Sequence, residues 1–125
     1  MRFAHTAKLR SNCMKRSVGA IVVKDKRIVS VGYNGTPHGY PNCYELGCER
    51  CNSNTPAGVD LENCLCIHAE ENAILEAGNL TSHLANYKFL PSAGRKAARG
   101  ADVYCTHFPC IWCSKIMAQA VNSLL

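Results

Sequence analysis

The chain has 125 residues, the size of one domain, and 47% of them are hydrophobic, which excludes an intrinsically disordered protein. Its formal net charge is +5, but the basic residues are scattered, which argues against a dedicated binder of duplex nucleic acid. No run approaches the ~20 apolar residues of a membrane helix, and the N-terminus lacks the apolar centre of a secretory signal. We therefore expect a soluble, cytoplasmic protein that makes no membrane contact.

The first half of the chain predicts one short helix and a β-hairpin. Residues 2–12 are expected to be helical, with a few apolar residues on one side. Residues 18–23 and 28–33 are short, apolar and β-branched, and the polar turn at 24–27 joins them as two strands. Neither strand alternates cleanly, which predicts burial on both faces. Residues 34–66 carry repeated turn signals and are expected to be irregular.

The second half predicts two helices separated by a strand. Residues 68–78 have helical apolar spacing and end at a glycine. Residues 79–100 are polar and contain Gly and Pro, which is typical of a surface insertion. Residues 101–106 predict a third strand, and Pro109 begins a helix over 110–121, where proline is tolerated in the first turn.

Two short motifs lie at the predicted helix starts. The first is His68-Ala69-Glu70, and the second is a P-C-x-x-C motif that places Cys110 and Cys113 on a first helical turn. The exposed backbone N–H groups of such a turn favour thiolates. Zinc binds thiolate and imidazole, and a catalytic zinc keeps one position open for water. We expect His68, Cys110 and Cys113 to hold zinc, and Glu70 to be the catalytic acid and base.

Each motif alone has a plainer interpretation. An H-x-E triplet occurs by chance in many proteins, and a lone C-x-x-C more often marks a structural zinc or a redox site. A thioredoxin-like protein would carry its C-x-x-C early, after the first strand, whereas this one lies near the end of the sequence. Together and in this order, the two motifs match the signature of the zinc deaminases.

The nine cysteines are an unusual feature of the composition. Nine is odd, so complete disulfide pairing is impossible, and clustered cysteines in a reducing compartment more often bind metal. Six lie in or beside the irregular segment 34–66, which predicts that metal fastens this long loop. Packing as small apolar side chains is the alternative. Cys105, in the third predicted strand, is expected to be ordinary core.

The chain resembles the cytidine deaminase superfamily and, within it, the deoxycytidylate (dCMP) deaminases, over about residues 1–121. The resemblance implies an α/β fold, a three-layer α-β-α sandwich that forms a single zinc-dependent deaminase domain over 1–125. This domain is expected to be short at its C-terminus and to lack the last strand and helix elements. The matching segments are RSNCMKRSVGAIVV (10–23), GYNGTPHGYPNC (32–43), CLCIHAEENAILEAG (64–78) and THFPCIWCSKIMAQA (106–120).

The resemblance implies hydrolytic removal of the 4-amino group of dCMP, giving dUMP and ammonia, within pyrimidine deoxynucleotide metabolism. It implies that Asn34 hydrogen-bonds the sugar, for which a simple tight turn at Asn34-Gly35 is the alternative. Homo-oligomers and regulation by dCTP and dTTP are also implied. Candidates for the substrate phosphate are Arg10, Lys15 and Arg16.

A second, structural zinc is implied as well. Its candidate ligands are Cys13, Cys43 and Cys66, with the fourth supplied by the further C-x-x-C pair, Cys48 and Cys51. Cys64 is two residues from Cys66 and is expected to point the other way if the segment is extended. Trp112, on the first turn of the last helix, is expected to pack against the sheet.

Two other functions compete with this one. A deaminase that acts on a tRNA base, free cytidine or guanine would share both motifs, but the GYNGTP segment and the cysteine-rich loop favour the nucleotide enzyme. Binding to tRNA would call for a basic, aromatic face, and aromatic residues are only 7% of the chain. An inactive, truncated zinc-binding module is the third possibility. Glu70 argues against it, because a structural zinc needs no neighbouring general base.

Overall fold

The computed structural model of the chain describes residues 1–82 and 98–121, with the side chains of 78–82 excepted. No helix in these ranges is long and apolar enough to cross a membrane. The helices are α1 (Arg2–Ala7), α2 (Glu49–Asn52), α3 (Ala69–Ser82) and α4 (Ile111–Val121), and the strands are β1 (Gly19–Lys24), β2 (Arg27–Tyr33) and β3 (Asp102–Cys105).

The predicted elements are present, with shifted ends. The predicted helix at 2–12 is shorter, because a 3-10 turn over Lys8–Arg10 follows α1. Helix α3 continues past Gly78 to Ser82, so that glycine does not end the helix. Most of the insertion predicted at 79–100 lies outside the described residues.

The strands form one sheet in the order β2-β1-β3, in which β1 is antiparallel to both neighbours. The first four residues of β1 are buried, as the sequence predicted for this strand. Burial on both faces is wrong for β2, where Ile28 and Val31 are 45% and 42% exposed. The short helix α1 packs mainly on β1, so the same face of β2 has little cover.

Two glycines show that helices cover both faces of the sheet. A Cβ at Gly19 would lie 2.2 Å from the Ala4 carbonyl oxygen of α1. A Cβ at Gly32 would lie 2.1 Å from the Ala69 carbonyl oxygen of α3. Gly32 pairs with Ala20, the neighbour of Gly19, and successive residues of a strand face opposite sides. Helices α1 and α3 therefore lie on opposite faces, which makes the predicted three-layer α-β-α arrangement.

Small side chains let α3 approach the sheet closely. The Ser30 hydroxyl donates a hydrogen bond of 2.7 Å to the Ala73 carbonyl oxygen, and the Asn72 amide donates one of 2.8 Å to the Tyr33 carbonyl oxygen. These bonds tie the first turns of α3 to the end of β2. The buried core between α3 and the sheet contains Ala20 and Val22 of β1, Ala69 and Ala73 of α3, and Ala101 just before β3.

Candidate active site and metal centres

The structure brings the two predicted motifs together. The Nδ1 atom of His68 lies 3.4 Å from the Cys110 sulfur and 3.3 Å from the Cys113 sulfur. All three donor atoms lie within 4.8 Å of one another. One imidazole and two thiols are the donors that zinc prefers, and three protein ligands leave a fourth position open. The donor set therefore fits a catalytic zinc.

Backbone hydrogen bonds hold both motifs in place. Gly35, just after β2, pairs with Ile67 through N–H···O bonds of 3.2 and 2.7 Å, which places His68 at the end of β2. The Thr106 N–H donates to the Gly19 carbonyl oxygen at 3.0 Å, which fixes the chain between β3 and α4. The N-terminal ends of α3 and α4 consequently meet at the same end of the sheet, where β1 begins.

Glu70 lies on the first turn of α3 and is only 4% exposed. Burial, and next the negative charge of Glu70, raise the pKa of the Cys113 thiol. The Glu70 carboxylate is therefore close enough to the Cys113 sulfur to act on it electrostatically. A divalent cation would reverse this effect, because it favours the ionised thiol and the ionised carboxylate together.

A pocket of about 380 Å³ opens in front of these residues. This volume lies within the range of small-molecule sites. Phe108 is 98% exposed at its rim. The polar and charged residues that line the pocket include Arg16, Asn34, His68, Glu70, His107 and Cys110.

Asn34 lines this pocket and also organises the chain around it. Its Oδ1 atom accepts hydrogen bonds from the Ser11 hydroxyl at 2.6 Å and the Val18 N–H at 2.8 Å. Its Nδ2 atom donates to the Arg16 carbonyl oxygen at 2.6 Å. An amide carries two N–H donors, so this bond leaves one for a ligand. The contact with a sugar stays a prediction.

The three basic candidates for a phosphate are not equivalent. Lys15 and Arg16 line the pocket, and Arg10 is not among its lining residues. The Lys15 ammonium donates hydrogen bonds of 3.2 Å to the carbonyl oxygens of Ser53 and Thr55. The guanidinium of Arg16 therefore remains the better candidate.

Six further cysteines form a second cluster. Within it, the Cys51 sulfur lies 3.8 Å from the Cys13 sulfur and 4.0 Å from the Cys66 sulfur. A hydrogen bond with Cys66 lowers the pKa of Cys13 to about 5, and the same contact raises the pKa of Cys66. The members, which we call the six-cysteine cluster, are Cys13, Cys43, Cys48, Cys51, Cys64 and Cys66.

The position of Cys64 corrects the sequence analysis. Its sulfur points into the cluster, 3.9 Å from the Cys48 sulfur and 3.7 Å from the Cys51 sulfur. The segment is not a strand, and the Leu65 N–H donates to the Cys48 sulfur at 3.3 Å, so the chain curls around that sulfur. The C-x-C spacing was the signal, because residues two apart in an extended segment face the same side, which places Cys64 on the side of Cys66.

The sequence prediction for Trp112 is wrong, and the one for Cys105 is confirmed. Trp112 does not pack against the sheet, since it is 73% exposed and the Lys115 ammonium lies 5.7 Å from its ring centroid. Cys105 packs against the apolar core, as expected. Burial, with a smaller contribution from Glu70, raises its pKa to about 11.

Comparison with known proteins agrees with this geometry. The sequence profile of the family described as the cytidine and deoxycytidylate deaminase zinc-binding region matches residues 1–123. The chain belongs to this family. The deoxycytidylate deaminase of Schizosaccharomyces pombe is 44% identical over 119 residues, and that of Saccharomyces cerevisiae is 40% identical over 126 residues. These alignments cover 95% and 100% of this chain but only 32% and 35% of the length of the two relatives. The chain thus spans about a third of their length.

A solved structure of the same family extends the comparison to the fold. The dCMP deaminase of cyanophage S-TIM5, in complex with dCMP and dUMP, is 33% identical and superimposes with a TM-score of 0.64. The superposition takes in 97% of this chain and 71% of the phage chain. The three-layer sandwich is therefore that of the cytidine deaminase-like fold.

Proposed function

We propose that the chain is a zinc-dependent dCMP deaminase domain, which hydrolyses dCMP to dUMP and ammonia. The observation that carries the proposal is the meeting of His68, Cys110 and Cys113 beside the buried carboxylate of Glu70. The choice of dCMP is supported by the two yeast relatives named as deoxycytidylate deaminases and by the phage enzyme in complex with dCMP and dUMP.

The residues of the pocket would have two roles in hydrolysis, metal binding and proton transfer. His68, Cys110 and Cys113 would hold zinc through one nitrogen and two sulfurs. When bound, zinc lowers the pKa of a water molecule towards neutrality and so supplies a nucleophile. Glu70 would accept one proton of the attacking water and pass it to N3 of the cytosine. It would then carry the second proton, from the new hydroxyl on C4, to the 4-amino group, which leaves as ammonia while the C4 carbonyl forms. Burial of its carboxylate limits proton loss to bulk solvent.

Substrate contacts outside the base follow from the lining of the pocket. Asn34 would direct its remaining amide N–H to the sugar, because its other polar groups are bonded to the chain. Arg16, an exposed cation on the pocket wall, would bind the 5′-phosphate. This contact would favour dCMP over deoxycytidine.

Zinc binding at the six-cysteine cluster, assembly and location belong to the same proposal. The cluster supports structural zinc besides the catalytic ion. Exposed apolar side chains near the pocket, Phe108 and Ile111, support contact with further copies of the chain in a homo-oligomer. Effector binding by dCTP and dTTP rests on family membership. The nine free cysteines support a cytoplasmic, reducing location.

A substrate panel tests the choice of nucleotide. Ammonia release is measured from dCMP, deoxycytidine, cytidine, guanine and a tRNA anticodon stem at equal concentrations. We expect turnover of dCMP with the highest kcat/KM. A higher kcat/KM for guanine or for the tRNA stem would contradict the assignment and would identify a deaminase of another base.

A further inference from the structure

The six-cysteine cluster contains two overlapping metal-binding groups. One group is Cys13, Cys43, Cys51 and Cys66, and the other is Cys48, Cys51, Cys64 and Cys66. In each group the four sulfurs lie within 4.8 Å of one another. Cys51 and Cys66 belong to both. We propose that the cluster holds two zinc ions bridged by the thiolates of Cys51 and Cys66, rather than one structural zinc.

The distances between sulfurs fit two tetrahedra that share an edge. Zinc–sulfur bonds of about 2.3 Å give a tetrahedral S···S edge of about 3.8 Å. The Cys51 sulfur lies 3.8 Å from the Cys13 sulfur in one group and 3.7 Å from the Cys64 sulfur in the other. The shared edge, from Cys51 to Cys66, is 4.0 Å long. Cys51 therefore has the spacing of a ligand to both metals.

The composition of the cluster excludes an ordinary apolar core. Its buried members are Cys43, Cys48 and Cys51, and the partly buried side chains packed against them are the other three cysteines. Cysteines that pack as small hydrophobes mix with aliphatic side chains, as Cys105 does in the main core. Three of the sulfurs are almost inaccessible, with exposures of 0%, 0% and 4% for these residues. Six thiols collected in this way require another explanation.

Charge and hydrogen bonding also favour two ions. A single zinc would ligate four sulfurs and leave two thiols inside the cluster without a metal. Two zinc ions would engage all six, with a net charge of about −2 for six thiolates. Backbone N–H groups are in place to offset that charge: Met14 donates to the Cys43 sulfur and Leu65 to the Cys48 sulfur, each at 3.3 Å. Both acceptors are terminal ligands, one in each group.

The two-metal cluster would form a wall of the active site. Cys13, Cys51, Cys64 and Cys66 line the pocket that also contains His68 and Glu70. Cys66 is two residues before His68, and Cys13 is three residues before Arg16. The bridged ions would fasten the irregular segment between β2 and α3 and so fix both ends of the pocket.

Metal counting in a variant without the catalytic ion tests this proposal independently of the deaminase activity. His68→Ala removes an exposed ligand of the catalytic site and leaves the cluster intact. Mass spectrometry under native conditions should find two zinc ions per chain in this variant. Adding Cys64→Ser should remove one ion and leave the group of Cys13, Cys43, Cys51 and Cys66. One ion or none in His68→Ala, or no loss on adding Cys64→Ser, would overturn the proposal.

Cadmium NMR of the unsubstituted chain tests the shared ligands without relying on a variant that folds. After replacement of zinc by ¹¹³Cd, two resonances from all-sulfur sites should be split by coupling to each other through the bridging thiolates. The resonance of the catalytic site should show no such coupling. A single all-sulfur resonance, or two without mutual splitting, would contradict the bridged arrangement.

Discussion

The Nδ1 atom of His68 lies 3.3 Å from the Cys113 sulfur, although 45 positions separate the two residues in the chain. The contact exists because α3 and α4 begin at the same end of the sheet, where β2 and β3 end. Two short motifs that mean little separately thus form one donor set for zinc. The site depends on the ends of the helices and on the glycines that let them approach the sheet.

Replacing Cys113 by serine should remove the catalytic zinc alone. Serine keeps the size of the side chain but loses the thiolate, and two ligands do not hold zinc tightly. Zinc content should fall by one ion per chain while the cluster keeps its metal. Cys105→Ser is the matched control, because Cys105 lies in the core and outside the metal-binding groups. Equal zinc contents in the two variants would contradict the assignment of Cys113.

Thiol titration should distinguish Cys105 from the other cysteines. Eight of the nine belong to the candidate metal-binding groups of the described residues, and Cys105 is the remaining one. Its pKa of about 11 means that at pH 8 roughly one thiol in a thousand is ionised. Its reaction with a disulfide reagent should be slow at pH 8 and should accelerate about tenfold per pH unit towards pH 11.

The same titration measures protection by metal. With zinc bound, rapid labelling at pH 8 should be absent, and a chelator should expose the eight other thiols. Cys105→Ser should abolish the slow phase. Several rapidly labelled thiols in the zinc-loaded chain would show that the clusters do not hold metal.

Gly32→Ala should destabilise the domain. The added Cβ would lie 2.1 Å from the Ala69 carbonyl oxygen, so α3 must move away from β2. Overpacking of this kind costs about 1–3 kcal/mol, and a backbone atom cannot rotate aside. The urea midpoint should fall, and zinc affinity should fall with it, because His68 immediately precedes α3. Val31→Ala, at an exposed position on the same strand, should change the midpoint little. Equal effects of the two substitutions would contradict the packing.

Arg16→Ala should weaken the recognition of the phosphate. A hydrogen bond to a charged group contributes about 1.5–3 kcal/mol, which corresponds to a loss of roughly 10- to 150-fold in kcat/KM for dCMP. The same substitution should leave kcat/KM for deoxycytidine nearly unchanged. Arg27→Ala, at an exposed position outside the residues that line the pocket, is the control. A parallel loss for both substrates would show that Arg16 supports the fold and not the phosphate.

Much of the fold could be predicted because local patterns and tertiary structure agree. The apolar runs of β1 and β2 with a polar turn between them specify a hairpin, and the helix-start motifs supply three donor atoms that the structure brings within 4.8 Å of one another. The exposure of β2 and of Trp112 could not be predicted, because periodicity does not show how much of a surface a neighbouring helix will cover. The prediction that Cys64 points away from Cys66 was wrong, because residues two apart in an extended segment face the same side. The pairing of Gly35 with Ile67 joins two irregular segments and has no local signal.

Zinc held by His68, Cys110 and Cys113 should work together with the carboxylate of Glu70, and one variant tests both the metal and the proton transfer. Zinc content and dCMP turnover are measured together for the unsubstituted chain and for Glu70→Gln, which keeps the shape but cannot accept the proton. We predict full zinc content in both and a turnover lower by about 10²- to 10⁴-fold in the variant. Turnover that survives in Glu70→Gln, or a folded unsubstituted chain that binds no zinc, would contradict the account.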